Sequence, residues 1–378
     1  MKILHVHIGT PKTGTTAIQE FCMENSDILK GKGYCYPILP FTFWDASEAR
    51  NARFLVGGIL DENGNASAAS TEEAEKNFYK GVQLIQDLFQ KFDHVVISDE
   101  NIWLSMDTIR KDLWKKLKKE ADERGFSIHV IVYLRRQDKY LYSLWNQRIK
   151  SKRRLDMSYE DFIDMINLPA RLEYYDKLER VAGVIGKENI TVRRFDGGDF
   201  DGGSIYADFL QAIGLTLTDE YKISQGVRNL GLYGNTFEIK RILNSLPQMG
   251  NPKTHQFVKE RLWECSEISA KEYPCEMMSK EEIAELLKTY AGDNSKIAEE
   301  YLNEPGNELF DNTIKDLPKW EKDNPYMIND VIRFAGAMGI YLYEENQKLK
   351  KQIRELNAVR HPFQRIIRFL KRKLKFKK

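Results

Sequence analysis

Pro11-Lys12-Thr13-Gly14-Thr15-Thr16 sets one cation, three hydroxyls and a glycine between an apolar run, Leu4-His5-Val6-His7-Ile8, and a helical pattern marked by Ile18 and Phe21. A strand-loop-helix of this kind gathers backbone N–H groups and hydroxyls at a helix N-terminus, which suits an anion such as a phosphate. Nucleoside-triphosphate loops place Lys directly after the last Gly. Here Lys12 stands two residues before Gly14. A second group follows the apolar run 128–134: Arg135 and Arg136, with Ser143 eight residues after Arg135. A guanidinium at a strand end grips a dianion through paired N–H bonds; the plainer reading is a solvated charge pair and a helix-surface serine. The third group is Asp99-Glu100, which follows His94-Val95-Val96-Ile97-Ser98. An apolar strand with an acidic pair also helps hold magnesium in nucleotide hydrolases and kinases, and a carboxylate here also suits a helix cap at Asn101.

These residues need a frame that brings strand ends together. Continuous apolar runs at 94–98 and 128–134 read as buried parallel strands. Tyr34-Cys35-Tyr36-Pro37 reads as a short strand with a proline stop, and Ile190 to Phe195 as a further strand. Between them lie helical patterns at 71–91 (Phe78, Val82, Ile85 and Phe89), at 110–124, at 138–150 and from Tyr159 to Gly186. Alternating strands and helices predict βαβ units and an α/β fold with a parallel sheet. The turn from first strand to first helix is where doubly wound folds bind nucleotides. From about Ser204 the pattern is mostly helical, with loops at 247–254, 304–306 and 318–325.

The loop, Arg135 and Ser143 together resemble the sulfotransferases that use 3′-phosphoadenosine 5′-phosphosulfate, PAPS. The segments 132–138 and 143–148, Ser98-Asp99-Glu100-Asn101 and Ile297-Ala298-Glu299-Glu300-Tyr301-Leu302 resemble a bacterial group of them, and the likeness covers about residues 1–310. It implies a P-loop-like central parallel sheet flanked by helices with a mostly helical C-terminal part. The expected layout is a sulfotransferase domain at 1–340, with its α/β core to about 225 and its helical part at about 226–340, followed by a helix and basic tail at 341–378. It implies that Pro11, Lys12, Thr13, Gly14, Thr15 and Thr16 hold the cofactor's 5′-phosphate, and that Arg135 and Ser143 hold its 3′-phosphate. Lys12 then lies beside the departing phosphate, and Glu100 takes the place of the base, with Glu48 and Asp45 as competing carboxylates. No metal is implied. The acceptor implied is a hydroxyl or amine of a carbohydrate, glycan or glycolipid, with a phenol or steroid as the alternative. Phe41, Phe43, Trp44, Trp103 and Trp145 are rings suited to stacking on sugar, and Glu48, Arg50, Asn51, Asn146 and Arg148 are groups suited to fixing hydroxyls; a core role for several of the rings is the competing reading. Three features depart from the family. Ala17 stands where cytosolic members have a stacking Trp, the Arg-Lys-Gly signature is replaced at best by Arg228-Asn229, and Phe195 fits either the adenine or the core. A nucleotide-dependent kinase and a catalytically silent nucleotide-binding module are the rival functions.

Of the 378 residues, 30% are charged and 42% hydrophobic, as in ordinary globular chains. Residues 360–378 carry nine Lys or Arg and no acid, so of the net charge of +2 the remainder accounts for −7. A mildly acidic body argues against nucleic acid as a partner. The four cysteines and six histidines show no metal-ligand spacing; the histidines are expected to form no cluster, with His5 and His7 packed or hydrogen-bonded in the first strand. No run is long enough to span a membrane, and the first strand begins at once, which points to the cytoplasm. Leu342, Leu349 and Leu356 recur every seven residues with Ile353 between, a helix that packs on the body or a partner, while Asn346 and Arg360 argue against a long coiled coil. After Pro362 the sequence is apolar on one side and cationic on the other, suited to an anionic membrane surface; a solvated tail is the alternative.

Overall fold

The computed structural model describes the chain apart from residues 42–46, 57–58, 61–65, 68–70, 108–110, 152–153, 197, 199, 224–230 and 376–378. Trp44, Phe43, Asp45, Arg228 and Asn229 therefore lie outside the described residues. Two compact units are present. The first comprises Met1–Arg153, Met157–Asn229 and Glu276–Lys319; the second comprises Arg154–Asp156, Leu230–Cys275 and Trp320–Lys378.

Five strands form the central sheet of the first unit: β1 (Ile3–His7), β2 (Tyr34–Cys35), β5 (His94–Ser98), β6 (Ser127–Leu134) and β7 (Ile190–Arg194). Two short strands, β3 (Ile59–Leu60) and β4 (Ala66–Ser67), make a separate antiparallel pair. The order is β2-β5-β1-β6-β7 and every pairing in the central sheet is parallel. The chain leaves β1 to one side for β2 and β5, and to the other for β6 and β7. In open α/β sheets such a switch point lies under the ligand crevice.

Strand residues alternate between faces. Leu4, Val6, Val95, Ile97, Ile128, Val130 and Val132 enter one hydrophobic core. Val96, Ile131 and Tyr133 join Ile18, Phe21 and Phe209 in the other. The second face also carries polar residues, and here the expectation that the histidines form no cluster is corrected, while His5 is hydrogen-bonded as expected. His5 Nδ1 lies 2.9 Å from His129 Nδ1, and His5 Nε2 lies 3.0 Å from His94 Nδ1. His129 Nε2 reaches Thr191 Oγ1 at 2.8 Å, so the row crosses four strands. Strand order makes these neighbours. Burial and the adjacent rings pull the His5 pKa down to about 2, and burial lowers His94 and His129 as well. A histidine depressed on folding stabilises the protein above its unfolded pKa near 6.5 and loses that contribution as pH falls. Between pH 7 and pH 5 the urea midpoint should therefore drop, by up to about 2 kcal/mol of stability from His5 alone. His5→Gln should flatten the slope; an unchanged midpoint for the parent protein over that range would contradict it.

The helix expected at 71–91 is Thr71–Leu88, and that at 110–124 is Leu113–Arg124. Pro252 lies not in a loop but in the first turn of the helix Pro252–Glu272, capped by Asn251. At the C-terminal end one helix runs from Met327 to Lys375. It continues through Pro362. Among the described residues no helix is long and apolar enough to cross a membrane.

Candidate active site

The first three residues after β1 extend its pairing with β6. Ile8 N–H donates to Ile131 O at 3.0 Å, Tyr133 N–H to Gly9 O at 2.6 Å, and Thr10 N–H to Tyr133 O at 2.9 Å. The chain then turns sharply, with Thr13 Oγ1 donating to Thr10 O at 2.5 Å. Lys12 and Gly14 both adopt left-handed backbone angles, φ 69° and 72°. At Gly14 a side chain is also excluded by contact, because a Cβ would meet Ile205 Cδ1 at 2.3 Å and Phe195 Cε2 at 3.0 Å. The helix Thr15–Glu24 begins immediately, with no side-chain cap and no acid in its first turn. Its first N–H groups have no intrahelical acceptor and sit at the positive end of the helix dipole.

Three cations converge beside that turn. Lys12 Nζ donates to Gln147 Oε1 at 2.8 Å, and Arg135 Nη1 donates to the Lys12 carbonyl at 3.1 Å. Burial, then the nearby charges of Lys150 and Arg135, pull the Lys12 pKa down to about 8, with Glu100 opposing. Ser143 lies on the helix Gln137–Lys150, four residues before Gln147 and seven before Lys150, so the three share one face. Arg135 is held in place: its carbonyl accepts from the buried Tyr174 hydroxyl at 2.8 Å, and its guanidinium lies 5.4 Å from the centre of the Phe195 ring. The structure thus brings Lys12, Gly14 and Arg135 together at one end of the sheet, with Ser143 on the helix that follows Arg135. Thr13 and Thr15 are buried in the loop while Thr16 is exposed.

Arg136, the neighbour of Arg135, has a different task. It forks onto Asp138 at 2.8 and 2.9 Å and donates to the carbonyls of Asp311 and Thr313. Those bonds tie the 311–313 segment against the strand end. A cavity of about 350 Å3 opens there, between Arg135, Phe195, Ile283, Phe310 and Ile314. Its size falls within the range of small-ligand pockets. Phe195 lies just past β7, its N–H bonded to Leu134 O, and so stands in the cavity wall as well as against the core.

Asp99 and Glu100 divide the roles that the sequence leaves open. Asp99 is fully buried, takes Arg50 at 2.6 Å and Arg53 at 3.7 Å, and accepts the Asn101 N–H at 2.7 Å. Asp99 therefore starts the helix Asn101–Ser105, and the Glu100 side chain makes no capping bond. Glu100 remains partly open at 17% exposure, with Gln19 Nε2 donating to Oε2 at 3.2 Å and Arg50 lying 3.5 Å from Oε1. Gly9 fixes it from below, since a Cβ there would meet Glu100 Cβ at 2.9 Å. Gln19 also donates to Ser98 Oγ, which bonds His7 Nδ1 at 2.8 Å. A polar row from the sheet thus reaches the carboxylate.

Burial corrects the acceptor roles of Trp103, Trp145 and Asn51. Trp103 is fully buried in the hydrophobic core, with its carbonyl accepting from Lys177. Trp145 is buried too, edge-on to Tyr159, and Phe41 stacks on Phe54. Asn51 is spent on backbone: it donates to Pro37 O and Val96 O and accepts from Ser98 N–H. Trp103, Trp145 and Asn51 present no face to a sugar, while Phe41 is half-buried. Arg148 lies over the Phe162 ring at 5.5 Å, and Glu48 is exposed. Gln19, Gln147 and Lys150 are the additional site residues. Helical spacing from Thr15 and Ser143 is the signal that could have found them.

No family model matches the chain. Over 96 residues it is 35% identical to an uncharacterized protein of Archaeoglobus fulgidus, a stretch that is 25% of each chain. The chain thus spans about a quarter of the length of that curated relative. Among solved structures it is similar to a sulfotransferase from Alicyclobacillus acidocaldarius, with a TM-score of 0.38 and 14% identity over 67% of this chain and 98% of the other.

Proposed function

We propose that this chain is a sulfotransferase that moves a sulfuryl group from PAPS to an acceptor hydroxyl. The carrying observation is the convergence of Lys12, Arg135 and Lys150 on an uncapped helix N-terminus, with a partly open carboxylate across the loop. Two anion positions follow, one at the turn with Lys12 and one at Arg135 with Ser143. A nucleotide carrying phosphates at both ends of its ribose meets both. Phe195, Ile283, Phe310 and Ile314 offer aromatic and apolar contacts for its base within a cavity otherwise lined mostly by charged residues.

In such a transfer the bond between sulfur and the bridging phosphate oxygen breaks as a bond to the acceptor oxygen forms. Glu100 receives the acceptor's proton, and Lys12 compensates the charge left on the phosphate. Gln19 and Arg50 hold Glu100 in orientation. The acceptor class that the sequence suggests is a carbohydrate, and we keep it as the class to screen first, against phenols. A kinase reading fits less well. The carboxylate it would use for magnesium, Asp99, is fully buried with Oδ1 taken by Arg50 and a backbone N–H, and among the described residues no group of three or more His, Cys, Asp or Glu side chains could hold a metal ion.

Calorimetry tests the reading. Adenosine 3′,5′-bisphosphate should bind at least about tenfold more tightly than ATP, because a charge-assisted contact is worth roughly 1.5–3 kcal/mol. No binding, or equal preference for ATP, rejects the reading. Tight binding without transfer of labelled sulfate from PAPS to any acceptor would favour the silent nucleotide-binding module.

A further inference from the structure

We infer that the exposed seam of the Met327–Lys375 helix is the interface of a parallel two-stranded coiled coil formed with a second copy of this chain. The helix has 49 residues, a rod of about 70 Å. One face near its start is occupied within its own unit. Asp330 accepts from Ser269 Oγ at 2.7 Å and Asn235 Nδ2 at 2.9 Å, and Arg333 donates to Glu272 at 2.6 Å. Tyr341 packs under the Arg261 guanidinium at 4.1 Å. In heptad terms these are positions f, b and c.

The opposite face carries the a and d positions. Ile328, Ala335, Leu342, Leu349 and Leu356 fall at successive d positions, and Ile332, Gly339, Asn346 and Ile353 at the a positions between them. The six large apolar residues of this seam are between 54% and 72% exposed. A sustained a/d stripe of about four heptads is the pattern of a coiled-coil strand, and an exposed apolar stripe of this length marks an interaction surface.

Charge selects the occupant. Glu345 is a g residue and Lys350 the e residue five positions on, so two parallel chains in register place opposite charges against each other twice. Within one chain Glu345 pairs with the exposed Lys348, a contact that rearranges at little cost. Asn346, which argues against a long coiled coil, is the one polar a residue of this short seam, where a single Asn at a specifies register and oligomer state at a cost in stability. The next a residue, Arg360, would face its own copy, so pairing ends near Leu356. An anionic membrane is a poorer match for this segment. Residues 328–356 hold five basic and four acidic side chains, against nine basic and none acidic in 360–378.

Sedimentation equilibrium of the full chain tests the inference, with a mass of twice 44.1 kDa expected. Leu349→Asp with Ile353→Asp should weaken association by at least about a hundredfold, because paired apolar layers are lost. Both positions are exposed, so the circular dichroism and thermal midpoint of the monomer should be retained. Asn346→Cys should form a disulfide between copies under mild oxidation. A monomer at all concentrations, or a dimer indifferent to the aspartate pair, overturns the interface. A dimer in which the Asn346→Cys variant forms no cross-link overturns the parallel register. A monomer whose binding to phosphatidylserine vesicles is weakened by Leu349→Asp assigns the seam to membrane and overturns the self-pairing.

Discussion

Glu100→Gln is expected to lower sulfuryl-transfer turnover by about a hundred- to ten-thousand-fold, the usual cost of removing a general base. Affinity for adenosine 3′,5′-bisphosphate should stay within a few-fold of the parent protein. The split follows from position. Glu100 sits past the end of β5, partly exposed, and touches Gln19 and Arg50 rather than Arg135 or Ser143. An amide at this position still presents an oxygen to Gln19, so the local packing and the bond from the helix Thr15–Glu24 are kept. What it cannot do is accept a proton. Steady-state turnover with labelled PAPS, beside calorimetry on the same variant, measures both quantities. Near-normal turnover would remove Glu100 as the base and make the exposed Glu48 the next carboxylate to replace.

The parts of this site that the sequence announces are those fixed by backbone geometry. Parallel strands buried on both faces write themselves as unbroken apolar runs, so β5 and β6 and the residues at their ends stand out. The turn at Lys12-Thr13-Gly14 is marked by a glycine that both its φ and the Phe195 contact require. Residues that join the site across elements leave no such mark. Gln147 and Lys150 look like any solvated helix face until the loop is seen beneath them. The His94, His5 and His129 row depends on strand order, which a linear pattern does not state. The acceptor roles suggested for Trp103 and Asn51 fail for a related reason: rings and amides near strand ends serve core and ligand with the same composition. Only their contacts, a buried hydrophobic cluster in one case and three backbone groups in the other, separate the roles.

Lys12→Ala is expected to damage both binding and turnover, and to change how binding depends on pH. In the protein without ligand the Lys12 pKa is lowered to about 8 by burial and by the charges of Lys150 and Arg135. A phosphate dianion placed beside the ammonium favours its charged form and raises that pKa. Binding is then coupled to proton uptake by Lys12 above pH 8, and affinity for the bisphosphate falls there by up to about tenfold per pH unit. The ligand does not produce this fall, since a phosphate monoester with a second pKa near 6 is already dianionic at pH 7. Loss of a charge-assisted contact costs roughly 1.5–3 kcal/mol, so the alanine variant should bind about ten- to a hundredfold more weakly at pH 7. Its affinity should also no longer decline between pH 8 and pH 9. Calorimetry in buffers of different ionisation heat reads the proton uptake directly. A Lys12→Ala protein with parental affinity and the same pH profile would place the anion elsewhere, because Lys12 is the ammonium carried by the loop turn itself and bonded to the helix that faces it.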